Sequence, residues 1–221
     1  MRKSISHWWE AFTENYGRLW RSNLLYLLCI GPSAICGFLF LSFRAYLFFA
    51  LAAVLLIPAG PAALALHEIA YHAAVGQPKQ MCKPFFILYR DKAKQGLLLG
   101  AAMAALVSTI ALPPCFAYAI QSRFLLPVIF AACLSLLLCC SGSAQVLRHL
   151  CKNNGINCST LLYDIFSCGT RGVLCGMLKL CWLLACLLFP IPAIAGALVG
   201  VPALLCFSTL YLLYAQDPAA P

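Results

Sequence analysis

The chain has 221 residues, of which 63% are hydrophobic and only 10% charged, with a formal net charge of +9 and a mean hydropathy of +0.90. Soluble domains carry about 25% charged residues, so this composition excludes a water-soluble fold and calls for a bilayer, which can accept the apolar surface. No polar region reaches the size of a separate domain, about 50 residues, and the expectation is one all-α membrane domain over residues 1–221.

Residues 4–21 read as a helix lying in the membrane interface. Trp8, Trp9, Phe12, Tyr16, Leu19 and Trp20 recur near the helical period, with Glu10, Glu14, Arg18 and Arg21 mostly opposite. Six apolar stretches follow, at 24–43, 46–66, 97–120, 124–147, 173–189 and 197–214. Twenty residues rise ~30 Å as a helix, about one hydrocarbon core. The expected architecture is therefore a polytopic bundle of six transmembrane helices with short cytoplasmic interfacial helices.

The first span contains Gly31-Pro32, and only Arg44-Ala45 separates it from the second, predicting a tight hairpin. The second span carries Pro58 and Gly60-Pro61 near its inner end. Proline removes a backbone donor and bends a helix, while the small residues around it permit close helix approach. The chain is expected to bend there and continue through His67 to about Val75 along the cytoplasmic surface, with Gly76 and Pro78 ending the helix. Residues 77–96 form the most basic segment, and Phe85, Phe86, Leu88 and Tyr89 interleaved with Lys83, Arg90, Lys92 and Lys94 predict a second short interfacial helix.

Spans three and four are joined by a turn at Gln121-Ser122-Arg123. Asn153-Asn154-Gly155 signals another turn, and a short helix is expected over 161–168, capped by Ser159 or Thr160. Spans five and six share an apolar run split at Pro190-Ile191-Pro192, which predicts a thin hairpin with little outer loop.

Charge orients this bundle. Arg2, Lys3, Arg18 and Arg21 precede span one; Lys79, Lys83, Arg90, Lys92 and Lys94 follow span two; Arg148, Lys152 and Arg171 follow span four. Only Arg44 and Arg123 occupy the alternate gaps. Cytoplasmic loops collect Lys and Arg, so both termini are expected on the cytoplasmic side. The same charges, split among three short segments on one face, fit anionic inner-leaflet lipids rather than nucleic acid. The first 23 residues lack the continuous apolar core of a cleaved signal peptide.

The residues that could carry chemistry point away from an enzyme. His67 and His72, with Glu68 between, stand five apart instead of the four that put two histidines on one metal. Cys151, Cys158 and Cys168 lack the two-to-four-residue spacing of structural zinc ligands. Most of the 14 cysteines lie in apolar segments and the rest in predicted cytoplasmic loops, so neither disulfides nor a metal or other cofactor is expected. Asn157-Cys158-Ser159 matches the glycosylation pattern but falls on the predicted inner side. Lys179, six residues into span five, is expected to snorkel to the inner head groups. No span has a mid-membrane carboxylate of the kind ion-coupled carriers use.

The run Ser22-Asn23-Leu24-Leu25-Tyr26-Leu27-Leu28, followed by Ile57-Pro58-Ala59-Gly60-Pro61-Ala62-Ala63-Leu64, resembles the YesL-like family of bacterial integral membrane proteins. Tyr71, the Phe85-Phe86 pair and Lys94-Gln95-Gly96 sit where that family has a tyrosine helix and a basic, aromatic segment. The resemblance is strongest over 8–100, and His72-Ala73-Ala74-Val75-Gly76-Gln77 stands where relatives carry a basic run. It implies an accessory role in carbohydrate uptake or envelope processes, with an ABC-type sugar permease or another membrane protein as partner. The competing expectation is a small permease with a cavity between the kinked Gly-Pro helices. The residues singled out for structure or interaction are Asn23, Gly31, Pro32, Pro58, Gly60, Pro61, Tyr71, Phe85, Phe86 and Lys179.

Overall fold

The computed structural model describes residues 2–43, 45–75, 83–119, 124–152 and 169–214, and among them every regular element is a helix. The turns expected at Arg44 and Gln121-Ser122-Arg123, the stop at Gly76 and Pro78, the Asn153-Asn154-Gly155 turn, the acceptor Asn157-Cys158-Ser159 and the helix over 161–168 lie outside the described residues.

Helix α1 runs unbroken from Arg2 to Phe43. The expected interfacial helix 4–21 and the first span are therefore one element, a correction with a local cause. Ser22, which could compete with the backbone, turns its hydroxyl onto the Arg18 carbonyl (2.9 Å), a bond compatible with a continuing helix. Helix α2 (Tyr46–Leu56) folds back on the C-terminal half of α1. Phe40 packs on Tyr46 and Phe49, and the Ser33 hydroxyl donates to the Ala52 carbonyl at 2.7 Å.

Helix α3 (Ala59–Ala74) continues from α2 after a bend of 45°. Pro58 has no N–H to extend the ladder, and Ile57 bonds only one short turn back, to the Val54 carbonyl. Pro61 then sits in the first turn of α3, where a missing N–H costs nothing. Its end at Ala74 agrees with the sequence reading, but its environment does not. Twelve of its sixteen residues are buried, His67 included at 2% exposure. The expected cytoplasmic surface helix is instead the centre of the bundle, packed chiefly on α1 and on the helices Ala93–Ala119 and Val201–Tyr214. Seven alanines and Gly60 among its sixteen residues leave little bulk to hold neighbours off, so helices close around it.

Helix α4 (Phe85–Asp91) is the expected short aromatic helix. Helices α5 (Ala93–Ala119) and α6 (Leu125–Lys152) follow, then α7 (Gly169–Leu188), α8 (Pro190–Val199) and α9 (Val201–Tyr214). The loop expected around 190–196 is helical: Pro190 starts α8, its fixed φ suiting a first helical turn. Gly200, at φ 108°, breaks the chain between α8 and α9.

The core joins Leu19 of α1, Ile69 and Ala73 of α3, Phe85 and Leu88 of α4, Cys175 of α7, and Phe207 and Leu210 of α9. Elsewhere large apolar side chains face outward, among them Leu28 (74% exposed), Leu126 (80%) and Phe130 (72%). Water-soluble monomers do not carry apolar surface on this scale. Helices α1 and α5 are long and apolar enough to cross a membrane, and the bent α2–α3 pair makes a third if taken as one span. The apolar stretches on α6, α7 and α9 are shorter, at Leu126–Leu137, Gly172–Trp182 and Val201–Tyr211.

Candidate functional site

The residues selected from sequence fall into three places. The first is the α2–α3 break. A Cβ built on Gly60 would land on the Gly96 carbonyl oxygen and 2.6 Å from the Gly100 nitrogen. One on Gly100 would strike the Ile57 carbonyl, and one on Gly96 the backbone of Pro61. Three glycines thus bring the backbones of α3 and α5 together, with Gly96 and Gly100 in the G-x-x-x-G spacing that allows close approach in membranes. Tyr89 of α4 closes the break from the other side, its hydroxyl donating to the Pro58 carbonyl at 3.4 Å. Gly60 and Pro61 therefore pack against backbone rather than line an open space, and Pro58 is half-buried beside them. Gly31 and Pro32 do not join them: nothing lies within 4 Å of a Cβ on Gly31, and Pro32 is exposed. The G-x-x-x-G spacing was visible in the chain, but nothing in it named Gly60 as the partner.

The second place is the α8–α9 break. The N–H of Gly200 serves the carbonyls of Gly196 and Ala197, leaving the end of α8 short of donors. One face of α1 supplies them. Asn23 Nδ2 donates to the Ala197 carbonyl (2.8 Å), Trp20 Nε1 to Leu198 (3.0 Å) and Tyr16 Oη to Val199 (3.3 Å). Positions 16, 20 and 23 are spaced four and three apart, hence on one helix face. Asn23 is fully buried. Replacing Asn23 by Leu should lower stability by about 1 kcal/mol, and Trp20→Phe, which keeps the ring but not the N–H, by less. Thermal unfolding in detergent checks this; unchanged melting of both variants would show that the break holds without the cap.

The third place is α4 and the start of α5. Phe85 and Leu88 are buried in the core, whereas Phe86 (66%) and Ile87 (40%) stand outward beside exposed Arg90. Lys83 and Asp91 pair across the helix at 2.8 Å. The hydrogen bond from Lys83 draws the Asp91 carboxyl below its usual range, and the same bond raises the Lys83 ammonium. The sign follows: the depressed acid contributes above the ordinary carboxylate range and is lost as pH falls through its own value. The raised amine contributes below the ordinary lysine range, and that contribution is lost as pH rises through its own raised value. Through neutral pH the pair is intact, and its full exposure keeps its contribution small.

Tyr71 is half-buried against the core with its ring 6.0 Å from that of His72, whose Nε2 lies 4.0 Å from Glu68. Four buried polar atoms, Arg18 Nε, Asn23 Oδ1, Glu68 Oε2 and Gln95 Oε1, have no hydrogen-bond partner among the described residues. They belong to α1, to α3 and to the start of α5, with α3 packed on both of the others. Lys179 stands apart. It reaches across to α6, donating to Ser143 Oγ at 2.6 Å and to the Cys140 carbonyl at 3.4 Å. A hydroxyl and a carbonyl within reach satisfy the ammonium better than apolar surroundings on the way to the head groups.

Among the described residues no group of three or more His, Cys, Asp or Glu is placed to hold a metal. No family model matches the chain, and no curated protein or solved structure matches it either.

Proposed function

We propose that this chain is a six-span protein of the bacterial cytoplasmic membrane, with both termini inside, that acts as a non-enzymatic accessory to another membrane system. One observation carries the reading: Phe86, Ile87 and Arg90 project from α4 while Phe85 and Leu88 of the same helix are locked into the core. Aromatic residues and arginine on a rigid support are what protein interfaces favour, because little side-chain and loop freedom remains to be lost on binding. The resemblance to the YesL-like family suggests the setting, carbohydrate uptake or envelope processes, with an ABC-type sugar permease as partner.

A photo-crosslinking residue at position 86, activated in native membranes, tests the reading. The expected result is one discrete protein adduct that disappears in Arg90→Glu. Adducts to lipid alone, with the protein extracted as a lone monomer, would count against it. The topology has its own check. Green fluorescent protein fused after Tyr214 should fluoresce, whereas fusion after Phe43 should favour a periplasmic alkaline phosphatase reporter; the reverse pattern would invert the orientation.

A further inference from the structure

The interior charge at Lys179 is incompletely answered. An ammonium offers three N–H donors, and this one has two acceptors among the described residues, Ser143 Oγ and the Cys140 carbonyl. The proton of Ser143 goes to the same Cys140 carbonyl at 2.8 Å, so the hydroxyl accepts from lysine while retaining a second lone pair. Among the described titratable groups, the thiols of Cys140, Cys175 and Cys206 lie near the ammonium. Thiols are weak acceptors. The described ion pairs are Lys83 with Asp91 and His72 with Glu68, so among the described residues no carboxylate reaches Lys179. A cation in a membrane-spanning helix needs a partner, and such residues mark sites.

Depth indicates what the partner is. Ser143 lies four residues before the inner end of the span 124–147, and Lys179 six residues after the start of 173–189. At about 1.5 Å per residue both sit ~6–9 Å below the inner boundary. A lipid phosphate pulled slightly inward would meet the free N–H there, and the Ser143 hydroxyl could turn from the Cys140 carbonyl to donate to it. Hydrogen bonds from an ammonium to a phosphate are of the strong, charge-assisted kind.

We propose that Lys179 and Ser143 form a site for a phosphate monoanion at the inner edge of the bundle, between α6 and α7. The site rests on the bilayer reading and inward orientation given above, but not on the accessory role. Its ligand is the phosphate of an inner-leaflet anionic lipid or a free phosphate of the same chemistry.

The test places the whole protein in phosphatidylcholine nanodiscs and follows its melting temperature as phosphatidylglycerol, or separately inorganic phosphate, is added. Phosphatidylglycerol should stabilise the wild type, with Lys179→Met weakening the apparent affinity about tenfold or more, Lys179→Arg retaining most of it, and Ser143→Ala losing several-fold. A Lys92→Gln, Lys94→Gln double variant should leave the saturable part of the response in place, since surface lysines act through the diffuse field of the membrane. The same Lys179-dependent response to inorganic phosphate alone would support the site and assign it to a soluble ligand. Equal responses of wild type, Lys179→Met and Ser143→Ala to both ligands would overturn it, and Ser143→Ala decides the matter if Lys179→Met does not fold. Failure of the wild type to enter bilayers would overturn the membrane reading itself.

Discussion

Gly100→Val should abolish the native bundle. Its Cβ would meet the Ile57 carbonyl oxygen, and the Ile57 carbonyl carbon at 2.8 Å. These are backbone atoms at a helix break, where Ile57 already accepts the Gly60 N–H at 3.1 Å, so no rotamer change relieves the clash. Overpacking in a closed core costs about 1–3 kcal/mol when side chains can give way. Here α3 and α5 must separate, and the expected loss lies at or above the top of that range. Size-exclusion chromatography after mild detergent extraction should show the monodisperse peak replaced by aggregate. Gly37→Ala serves as control, since nothing lies within 4 Å of its added Cβ. Alanine favours helix over glycine by roughly 0.5–1 kcal/mol, so this variant should melt no lower than the wild type. If Gly100→Val and Gly37→Ala behave alike, the contact between α3 and α5 is not what holds the bend.

Phe207→Ala should be the most damaging truncation outside the glycine contact. Phe207 of α9 is fully buried, with the rings of Phe12 (5.6 Å), Tyr211 (6.0 Å) and Trp8 (6.2 Å) around it. It ties the start of α1 to the end of the chain and belongs to the same core as Ile69 and Leu19. Removing a buried aromatic costs about 3–5 kcal/mol through lost transfer energy and the cavity left behind. Unfolding in a denaturing detergent titration should report this loss. Phe38→Ala, at a side chain 57% exposed on the apolar outer surface, should cost much less. Comparable losses at both positions would mean that α9 is not docked on α1.

How much of this was legible in the chain varied with the range of the interaction. The helical character, the bend at Pro58, the end of α3 near Val75 and the short aromatic helix over 85–91 follow from local rules: missing proline donors, terminator residues and aromatic spacing. Asn23, Gly60 and Pro61 are buried at contacts between helices. Their partners were not legible. Ala197 lies far along the chain from Asn23, and Gly96 and Gly100 on another helix from Gly60. Periodicity describes which face is apolar, not what covers it.

The errors share that origin. His67, Glu68, Tyr71 and His72 made α3 read as a surface helix, yet its seven alanines and Gly60 let α1, α5 and α9 close on it. Ser22-Asn23 read as a boundary between an interfacial strap and a span, but Ser22 bonds within the turn and Asn23 across to α8, so α1 runs on. Pro190 read as loop punctuation, although it is equally suited to start a helix. Phe85 and Phe86 are adjacent and alike in composition, and only packing separates the core anchor from the outward ring.

By itself the sequence determined that the chain is helical and apolar enough for a bilayer, and that it bends at Pro58. Those properties depend on residue composition and on bonds within a turn or two. The tertiary structure alone decided that α3 is the core, that three glycines weld α3 to α5, that α1 caps α8, and that Lys179 turns to Ser143. These are contacts between residues distant in the chain, where close approach depends on the shape of both partners at once.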